Sequence, residues 1–314
     1  MKAIVPYISI VITSYNREQY IGQAIDSVLA QECRFPVEII IADDCSTDNT
    51  RALLQTYKAK YPDIVVLQYQ ESHIGLGANW ASACQMARGK YIACLDDDDY
   101  WCDNHRLQQL ADYLDAHADC GSIYTNRWIL SVATGKKTLA DRCIPADADK
   151  LDYMLHRGFP ICFSSVLLRK SMLDTYVNLD DYIRLRFPIQ DWPTALLLAP
   201  HCAFHYIDRP GVVYRSYSGS MSRPETYEQI TGKCDSERVM CSYIMDQLQL
   251  PFDEPGWDRH VNHLLMALAY KRGDYPEAKR YAQQSGEHTL KAMCARTWGT
   301  FQLFRGVKRL KEAL

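Results

Sequence analysis

Short apolar runs alternate with amphipathic segments along the first 126 residues of the chain. The runs at residues 8–12 and 37–42 have the length of buried strands, whereas residues 17–31 place their apolar side chains at helical spacing. Two further strands are predicted at 65–68 and 91–95. This rhythm is typical of β-α-β units, whose strands lie parallel in one sheet.

The pattern changes in the second half of the chain. It weakens between residues 128 and 157, after which strand-like segments return at 163–168, 203–207 and 212–214. From about residue 225 onward, apolar residues recur only at helical spacing. The predicted organisation is an α/β domain over residues 1–222, with halves 1–126 and 127–222, and a helical C-terminal region over 223–314.

The composition narrows the class of protein. With 314 residues and 47% hydrophobic content, the chain can bury a large core. A formal charge of −3 gives no overall positive field, so no nucleic-acid partner is predicted. Twelve dispersed cysteines fit reduced thiols in the cytoplasm better than a disulfide scaffold, and no apolar run has the length and purity of a membrane span.

A run of four acidic residues, Asp96, Asp97, Asp98 and Asp99, comes directly after the apolar strand YIACL. It therefore lies at the carboxyl end of a strand, where open α/β sheets bind their ligands. Adjacent carboxylates repel one another unless a cation neutralises them, and Mg²⁺ and Mn²⁺ prefer oxygen ligands and pair with phosphates. The run predicts a metal–diphosphate site, with a solvated acidic turn as the alternative.

A second acidic pair, Asp43 and Asp44, also follows a predicted strand, so both clusters belong at the same edge of the sheet. A carboxylate there can accept hydrogen bonds from a base or a ribose hydroxyl; the alternative is that Asp44 only forms a turn. Gly75 and Gly77 do not complete a dinucleotide-binding glycine motif, and no Walker A sequence occurs. Nucleotide recognition is therefore expected from the polar turn at residues 13–16.

Three segments of the chain, ISIVITSYNREQYIGQAIDSVLAQ, VEIIIADDCSTDNT and GKYIACLDDDDYW, resemble in their order and spacing the family 2 glycosyltransferases with the GT-A fold. The resemblance covers roughly the first 220 residues. It implies a Rossmann-like mixed, mainly parallel sheet flanked by helices, with a C-terminal helical appendage. It also implies inverting transfer of a hexose-type sugar from a nucleotide diphosphate sugar, expected to be a UDP-sugar, to a saccharide or lipid-linked acceptor in bacterial surface polysaccharide or glycolipid assembly.

The resemblance implies roles for individual residues on the donor side. Three residues would hold the uracil and ribose portion of the donor: Thr13, Tyr15 and Asp44. Asp96 and Asp98 correspond to the two acids of the family's DxD motif, and Asp97 fills the variable position. Asp98 would be the principal ligand of Mn²⁺ or Mg²⁺, with Asp99 close by.

On the acceptor side, Asp191 corresponds to the family's catalytic base, which usually follows another acid; Gln190 stands in place of that acid. Arg215 lies in a segment that resembles a loop closing over the diphosphate. It would neutralise phosphate charge, with a surface role as the alternative. Tyr217 stands where this loop often carries a histidine. The acceptor is expected to approach near residues 159–165.

Two other functions stay open. A nucleotidyltransferase or a metal-dependent phosphohydrolase would also bind phosphates through metals held by carboxylates. A catalytically impaired nucleotide- or carbohydrate-binding module would fit the loss of the acidic pair and of the loop histidine. The retention of Asp98 and Asp191 argues against such a module.

The C-terminal region has alternatives of its own. The segment ALAYKRGDYPEAKRYAQQ resembles one helix-turn-helix of a tetratricopeptide repeat, which we interpret as a helical buttress because a single unit cannot bury its own faces. The last helix combines aromatic residues such as Trp298 with basic residues such as Arg305. It predicts either contact with the inner face of the membrane or docking on the protein itself. Oligomerisation is left open.

Overall fold

The computed structural model describes residues 5–141, 143–156, 159–217 and 226–286. The chain forms two structural units, Met1–Tyr217 and Ser218–Leu314, and each has a hydrophobic core of its own. The predicted domain boundary after residue 222 lies outside the described residues and stays a prediction.

Four parallel strands form the first half of the sheet in the first unit. They are β1 (Ile8–Ser14), β2 (Val37–Asp43), β3 (Val65–Tyr69) and β4 (Tyr91–Asp96). Their order across the sheet is β3-β2-β1-β4, with β1 paired to both β2 and β4. All seven residues of β1 are buried. This is why its sequence is almost continuously apolar rather than alternating.

The second half of the sheet is mixed. Its strands are β5 (Tyr100–Trp101), β6 (Cys120–Ser131), β7 (Lys137–Leu139), β8 (Val166–Arg169) and β9 (Ala203–Ser216). β8 lies antiparallel between β4 and β6, β9 runs parallel to β6, and β5 pairs antiparallel with β9. With β7 paired to β6, the described residues form a 9-stranded mixed sheet. The predicted fold class is confirmed.

Helices flank this sheet. In the first unit they are α1 (Ile21–Leu29), α2 (Thr50–Lys60), α3 (Leu76–Met86), α4 (Arg106–Ala116), α5 (Lys150–His156), α6 (Lys170–Tyr176), α7 (Leu179–Arg184) and α8 (Asp191–Leu198). The helical spacing of the sequence predicted a buried face of Ile21, Ile25, Val28 and Leu29; helix α1 buries the first three together with Ala24, whereas Leu29 is partly buried. A 3₁₀ turn at Phe163–Ser165 precedes β8 and contributes to the candidate site.

Gly77 brings helix α3 close to the segment that precedes α8. A Cβ atom at this position would lie 2.4 Å from the backbone oxygen of Phe187 and 2.8 Å from that of Ile189, so only glycine fits. This close approach fixes the chain immediately before Gln190, which stands at the N-cap position of α8. The close packing at Gly77 thus positions the segment that leads into Gln190 and Asp191 of the candidate site.

Strand β9 differs from the two separate strands that the sequence predicted. It runs unbroken over Ala203–Ser216, although Pro210 lies in its centre. The register with β6 is irregular on both sides of Asn126, whose partner is Pro210. Proline lacks an N–H and is tolerated at such an irregularity, whereas the sequence alone suggests a turn. The stretch of weak periodicity before residue 157 contains the end of β6, β7 and α5.

The second unit is helical in its described part. Its helices are α9 (Tyr227–Gln247), α10 (Glu254–Arg272) and α11 (Tyr275–Gln284). Helix α10 ends at Gly273, which has a φ of 81°, and Asp274 caps α11, so the predicted helix-turn-helix is confirmed. The predicted last helix, with Trp298 and Arg305, lies outside the described residues. Among the described helices, none combines the length and the hydropathy that a membrane crossing requires.

Candidate functional site

The carboxyl ends of β1, β2 and β4 meet at one edge of the sheet. Parallel pairing places Thr13 opposite Asp96 on one side and Ala42 on the other, and it places Ser14 opposite Asp43. The loops that follow these strands therefore converge, as predicted for the two acidic clusters. The candidate site is built on these loops, together with the start of α8 and the 3₁₀ turn before β8.

Ser164 connects two acids of the run that follows β4. Its Oγ lies 3.1 Å from Oδ2 of Asp96 and 2.7 Å from Oδ2 of Asp99, and it accepts a hydrogen bond from the Asp96 amide at 3.1 Å. Ser164 is fully buried in the 3₁₀ turn. Trp101 and Arg106 donate to backbone oxygens of this turn, so the hydroxyl that orients both carboxylates is itself held in place.

Asp99 is fully buried, and both of its carboxylate oxygens are engaged. Oδ1 accepts a hydrogen bond from the backbone N–H of Arg215 at 2.9 Å, and Oδ2 faces Ser164. Burial, followed by the charges of Asp98 and Asp96, raises the pKa of Asp99 well above its usual value. These hydrogen bonds give Asp99 a supporting role in the site, and its predicted role as a metal ligand stays a prediction.

Asp98 is the acid of the run that offers an oxygen to a ligand. Its Oδ2 accepts a hydrogen bond from the hydroxyl of Tyr217 at 2.6 Å, while its Oδ1 has no donor among the described residues. The Asp98 side chain is 20% exposed, compared with 11% for that of Asp97. Tyr217, which stands where the family often has a histidine, is therefore a direct neighbour of the predicted metal ligand.

The crowding of carboxylates fits a divalent cation. Burial and the charges of Asp98 and Asp191 raise the pKa of Asp96 to about 7, and burial also raises the pKa of Asp97. A cation would favour the charged forms of these groups. Within the described part of the chain, no three His, Cys, Asp or Glu side chains converge as a ready metal site. Mg²⁺ in proteins is usually held by one or two carboxylates together with phosphates and water.

Asp97 faces the loop that follows β1. Its Oδ2 accepts a hydrogen bond from the amide of Tyr15 at 3.0 Å, and its Oδ1 lies 3.5 Å from Nε of Arg17. The sequence analysis gave Asp97 no role because it fills the variable position of the DxD motif. In the structure it joins the loops after β1 and β4, and it thereby fixes the backbone of Tyr15.

Two aromatic rings lie side by side beyond the end of β1. Tyr15 is 39% exposed, and its ring centroid is 4.3 Å from that of His73, with the planes tilted by 34°. Asp44 is buried and accepts hydrogen bonds from the amides of Ile74 and Gly75 at 2.7 and 2.8 Å. Its Oδ2 also lies 2.9 Å from Nδ1 of His73. Asp44 thus holds the loop that carries His73, a residue that the sequence analysis did not single out.

Two other predicted site residues are buried. Thr13 lies within β1 and is 4% exposed. Arg215 is 7% exposed, and its guanidinium lies over the rings of Tyr20 and Tyr100, 4.7 and 4.9 Å from their centroids, while also donating to the backbone oxygen of Asp98. These contacts give Arg215 a positioning role, and its predicted contact with phosphate stays a prediction.

Asp191 begins helix α8 and lies close to the acidic run. It is half-buried, and its Oδ1 accepts a hydrogen bond from the amide of Trp192 at 2.8 Å. The preceding residue, Gln190, is 3% exposed and donates from Nε2 to Oδ1 of Asp96 at 3.3 Å. Gln190 therefore links the predicted catalytic base to the predicted metal-binding run.

The segment 159–165, where the acceptor was predicted to approach, is mostly buried. Phe159, Ile161 and Phe163 line a small apolar cavity against Thr194 and Ala195 of α8. The segment thus supports the site from the protein interior, chiefly through the contacts of Ser164 with Asp96 and Asp99. Its direct contact with an acceptor stays a prediction.

A parallel half-sheet with an acidic run at the carboxyl end of its fourth strand defines an α/β protein of the GT-A class. The family model of Glycosyl transferase family 2 matches residues 9–176, just over half of the chain. The chain belongs to this family.

Three relatives illustrate the similarity. An uncharacterised protein of Mycobacterium tuberculosis is 44% identical over 111 residues, 35% of this chain and 32% of that protein. A putative teichuronic acid biosynthesis glycosyltransferase of Bacillus subtilis is 41% identical over 96 residues, 31% of this chain and 37% of that protein. The abequosyltransferase of Salmonella typhimurium is 24% identical over 229 residues, 69% of this chain and 68% of that protein. The chain spans about a third of the length of the first two relatives.

Solved structures share the fold. S. aureus TarS 1-349 in complex with UDP-GlcNAc has a TM-score of 0.54 and 17% sequence identity, covering 98% of this chain and 91% of that chain. The complex of the same protein with UDP has a TM-score of 0.53 and covers 92% of this chain and 80% of that chain, also at 17% identity. At this identity, the likeness shows the fold alone.

Proposed function

We propose that the protein is an inverting glycosyltransferase that moves a hexose-type sugar from a UDP-sugar to an acceptor hydroxyl. The observation that carries the proposal is the link from Asp191 through Gln190 to Asp96. It brings a carboxylate at the start of α8 to an acidic run at the ligand-binding edge of the sheet. An inverting transfer needs a base on one side of the reacting carbon and charge stabilisation on the other.

On the donor side, the exposed rings of Tyr15 and His73 offer a stacking surface for the base. Asp98 would hold Mn²⁺ or Mg²⁺ through its outward oxygen, and the bound cation would supply Lewis acidity toward the departing diphosphate. Asp99 and Arg215 keep the Asp98 loop in place through the hydrogen bonds described above. Thr13 and Asp44 are proposed to hold the uracil and ribose portion of the donor together with Tyr15, and Asp44 also accepts hydrogen bonds from the loop that carries His73.

On the acceptor side, Asp191 would take the proton of the acceptor hydroxyl as that oxygen attacks the sugar. A carboxylate within hydrogen-bond reach of the hydroxyl suffices, and no covalent enzyme intermediate is needed. The half-buried position of Asp191 close to Asp96 supports this role, because it brings a carboxylate to the acidic run where the donor is proposed to bind.

The acceptor is proposed to be a saccharide or a lipid-linked saccharide of a bacterial surface polymer. The name of the Bacillus subtilis relative, which refers to teichuronic acid biosynthesis, supports this class. The cytoplasmic location, the contact of the last helix with a membrane and any oligomer stay predictions.

The test is to incubate the protein with a panel of nucleotide sugars, with and without Mn²⁺, and to identify the products. The proposal expects nucleoside diphosphate release that depends on Asp191, from a UDP-sugar in preference to other donors. Release of sugar phosphate would instead indicate a nucleotidyltransferase or a phosphohydrolase. Donor binding without turnover of any acceptor in a bacterial lipid or polysaccharide extract would indicate a binding module.

A further inference from the structure

Arg17 places a positive charge inside the acidic site. Its backbone N–H donates to Oγ1 of Thr50 at 2.9 Å, which anchors the residue in the loop after β1. Its Nη1 donates to the backbone oxygens of Tyr15 and Asn16 at 3.2 and 3.1 Å. The guanidinium is thus held over the loop and directed toward the acidic run.

The contact between Arg17 and the acids is an ion pair without a hydrogen bond. Its Nε lies 3.5 Å from Oδ1 of Asp97 and 3.9 Å from Oδ2 of Asp98. This Nε is buried, yet it has no hydrogen-bond partner among the described residues. The arginine therefore neutralises charge at Asp97 and Asp98 without a fixed bond to either one, and such a pairing is readily exchanged for another ion.

Arg51, in helix α2, provides a contrast because it pairs with an acid at the end of the neighbouring strand β2. Its Nε donates to Oδ2 of the fully buried Asp43 at 2.5 Å, and its Nη2 donates to the backbone oxygen of Gln70. Both arginines pair with an acid at the carboxyl end of a strand. Arg51 is hydrogen-bonded to its acid through Nε, whereas Nε of Arg17 has no hydrogen-bond partner among the described residues and lies near the predicted metal ligand.

We propose that Arg17 is an internal counter-cation that competes with the divalent metal for the carboxylate of Asp98 until a nucleotide diphosphate provides the arginine with another anion. The inference rests on the proposed function, in which Asp98 holds the metal and the donor carries a diphosphate. It predicts weak binding of Mn²⁺ alone to the wild-type protein. It also predicts that UDP and Mn²⁺ strengthen the binding of each other, because UDP draws the arginine away from the metal site.

The experiment measures the affinity of the full chain for Mn²⁺ alone, from the electron paramagnetic resonance signal of free Mn²⁺. Arg17→Gln should bind Mn²⁺ about 5- to 50-fold more tightly than wild type, since a like charge at the site is lost. Arg17→Lys should stay within about threefold of wild type, because it keeps the charge. The matched control, Arg51→Gln, removes the same charge from helix α2, where it faces Asp43 at the end of β2, and should leave Mn²⁺ affinity near that of wild type.

Two results would overturn the inference. The first is equal Mn²⁺ affinity in wild type, Arg17→Gln and Arg51→Gln, with melting temperatures that show all three to be folded. The second is tighter binding in Arg51→Gln to the same extent as in Arg17→Gln, which would reflect net charge only. The Mn²⁺ measurement needs no nucleotide. A failure to bind any UDP-sugar would therefore count against the proposed function only, and the Mn²⁺ affinities of the variants would still decide the role of Arg17.

Discussion

Gln190 donates a hydrogen bond from Nε2 to Oδ1 of Asp96 across 3.3 Å, where helix α8 meets the acidic run. The other end of the same amide, Oε1, is buried without a hydrogen-bond donor among the described residues. The family resemblance implies an acid at this position. Its carboxylate would lie beside that of Asp96, and the two negative charges would repel each other. The amide removes that repulsion, because it offers a donor where a carboxylate can only accept.

The first prediction is that Gln190→Glu destabilises the protein when metal is absent. A second carboxylate beside Asp96 would leave buried charge unpaired, and the free energy of unfolding should fall by about 1–3 kcal/mol. Mn²⁺ should recover more stability in the variant than in wild type, because a cation bound to the folded state offsets the added charge. Melting temperatures with Mn²⁺ and with EDTA measure both effects.

Gln190→Met is the matched control for this prediction. Methionine has a volume similar to that of glutamine. The substitution removes one long hydrogen bond, and it also removes the buried oxygen that lacks a donor, so the free energy of unfolding should change by less than about 1 kcal/mol. Its response to Mn²⁺ should equal that of wild type. If Gln190→Glu and Gln190→Met behaved alike in EDTA, charge repulsion at Asp96 would not be the reason for the glutamine.

The second prediction concerns Ser164, whose hydroxyl lies between Asp96 and Asp99. Ser164→Ala should lower the free energy of unfolding by about 1–3 kcal/mol and weaken UDP binding in the presence of Mn²⁺, because the buried Asp99 and the half-buried Asp96 lose the donor they share. Ser165→Ala is the control, since that hydroxyl donates to the backbone oxygen of Cys162 in the same turn. Urea unfolding and calorimetry should show a loss of stability in both variants and a loss of UDP affinity only in Ser164→Ala.

The third prediction separates the two predicted metal ligands. Asp98→Asn should weaken Mn²⁺-dependent UDP binding at least about tenfold while the melting temperature stays near that of wild type, because this carboxylate is partly exposed and repelled by its neighbours. Asp99→Asn should instead lower the melting temperature, because both oxygens of Asp99 are used inside the protein. Calorimetry with UDP, with and without Mn²⁺, measures the first effect. If UDP binding lost more of its Mn²⁺ dependence in Asp99→Asn than in Asp98→Asn, Asp99 rather than Asp98 would be the principal metal ligand.

The fourth prediction is that Tyr15→Ala weakens UDP binding by about 1–3 kcal/mol, the usual contribution of one aromatic ring stacked on a base. His73→Ala should also weaken UDP binding, because its exposed ring packs against that of Tyr15 and forms part of the same stacking surface. Titration of UDP and of uridine should show the same loss for both ligands, since the ring contacts the base and not the phosphates. A loss confined to UDP would place Tyr15 near the diphosphate instead.

The sequence predicts the edge of the sheet better than it predicts the contacts across it. A strand followed by acids places Asp44 and Asp98 at one edge, because parallel strands share their direction. The position of Ser164 could not be predicted, since it depends on the antiparallel pairing of β8 with β4, which brings together residues 68 positions apart. The contact of Arg17 with Asp97 and Asp98 likewise depends on how two loops converge. Local patterns specify strands, whereas the support of a site comes from pairings far apart in the chain.

The last prediction is that Asp191→Asn lowers sugar transfer by a factor on the order of 10² to 10⁴ and barely changes UDP affinity, as expected for the loss of one general base. The structure makes this test selective. Oδ1 of Asp191 accepts a hydrogen bond from the amide of Trp192 in the first turn of α8, and asparagine can accept the same bond through its carbonyl oxygen. The fold should therefore be retained, which the melting temperature checks.

Asp180→Asn controls for the general effect of removing an acid from the first turn of a helix. Asp180 occupies that place in α7 and accepts a hydrogen bond from Gln85 at 2.8 Å. The helix dipole favours a carboxylate at both positions, so any cost to helix stability should be similar in the two variants. Only Asp191→Asn also loses a proton acceptor beside the acidic run, and only this variant should lose transfer. Near-wild-type transfer by Asp191→Asn, with saturating donor and acceptor, would leave Asp191 with a structural role in the first turn of α8 and require another residue to act as the base.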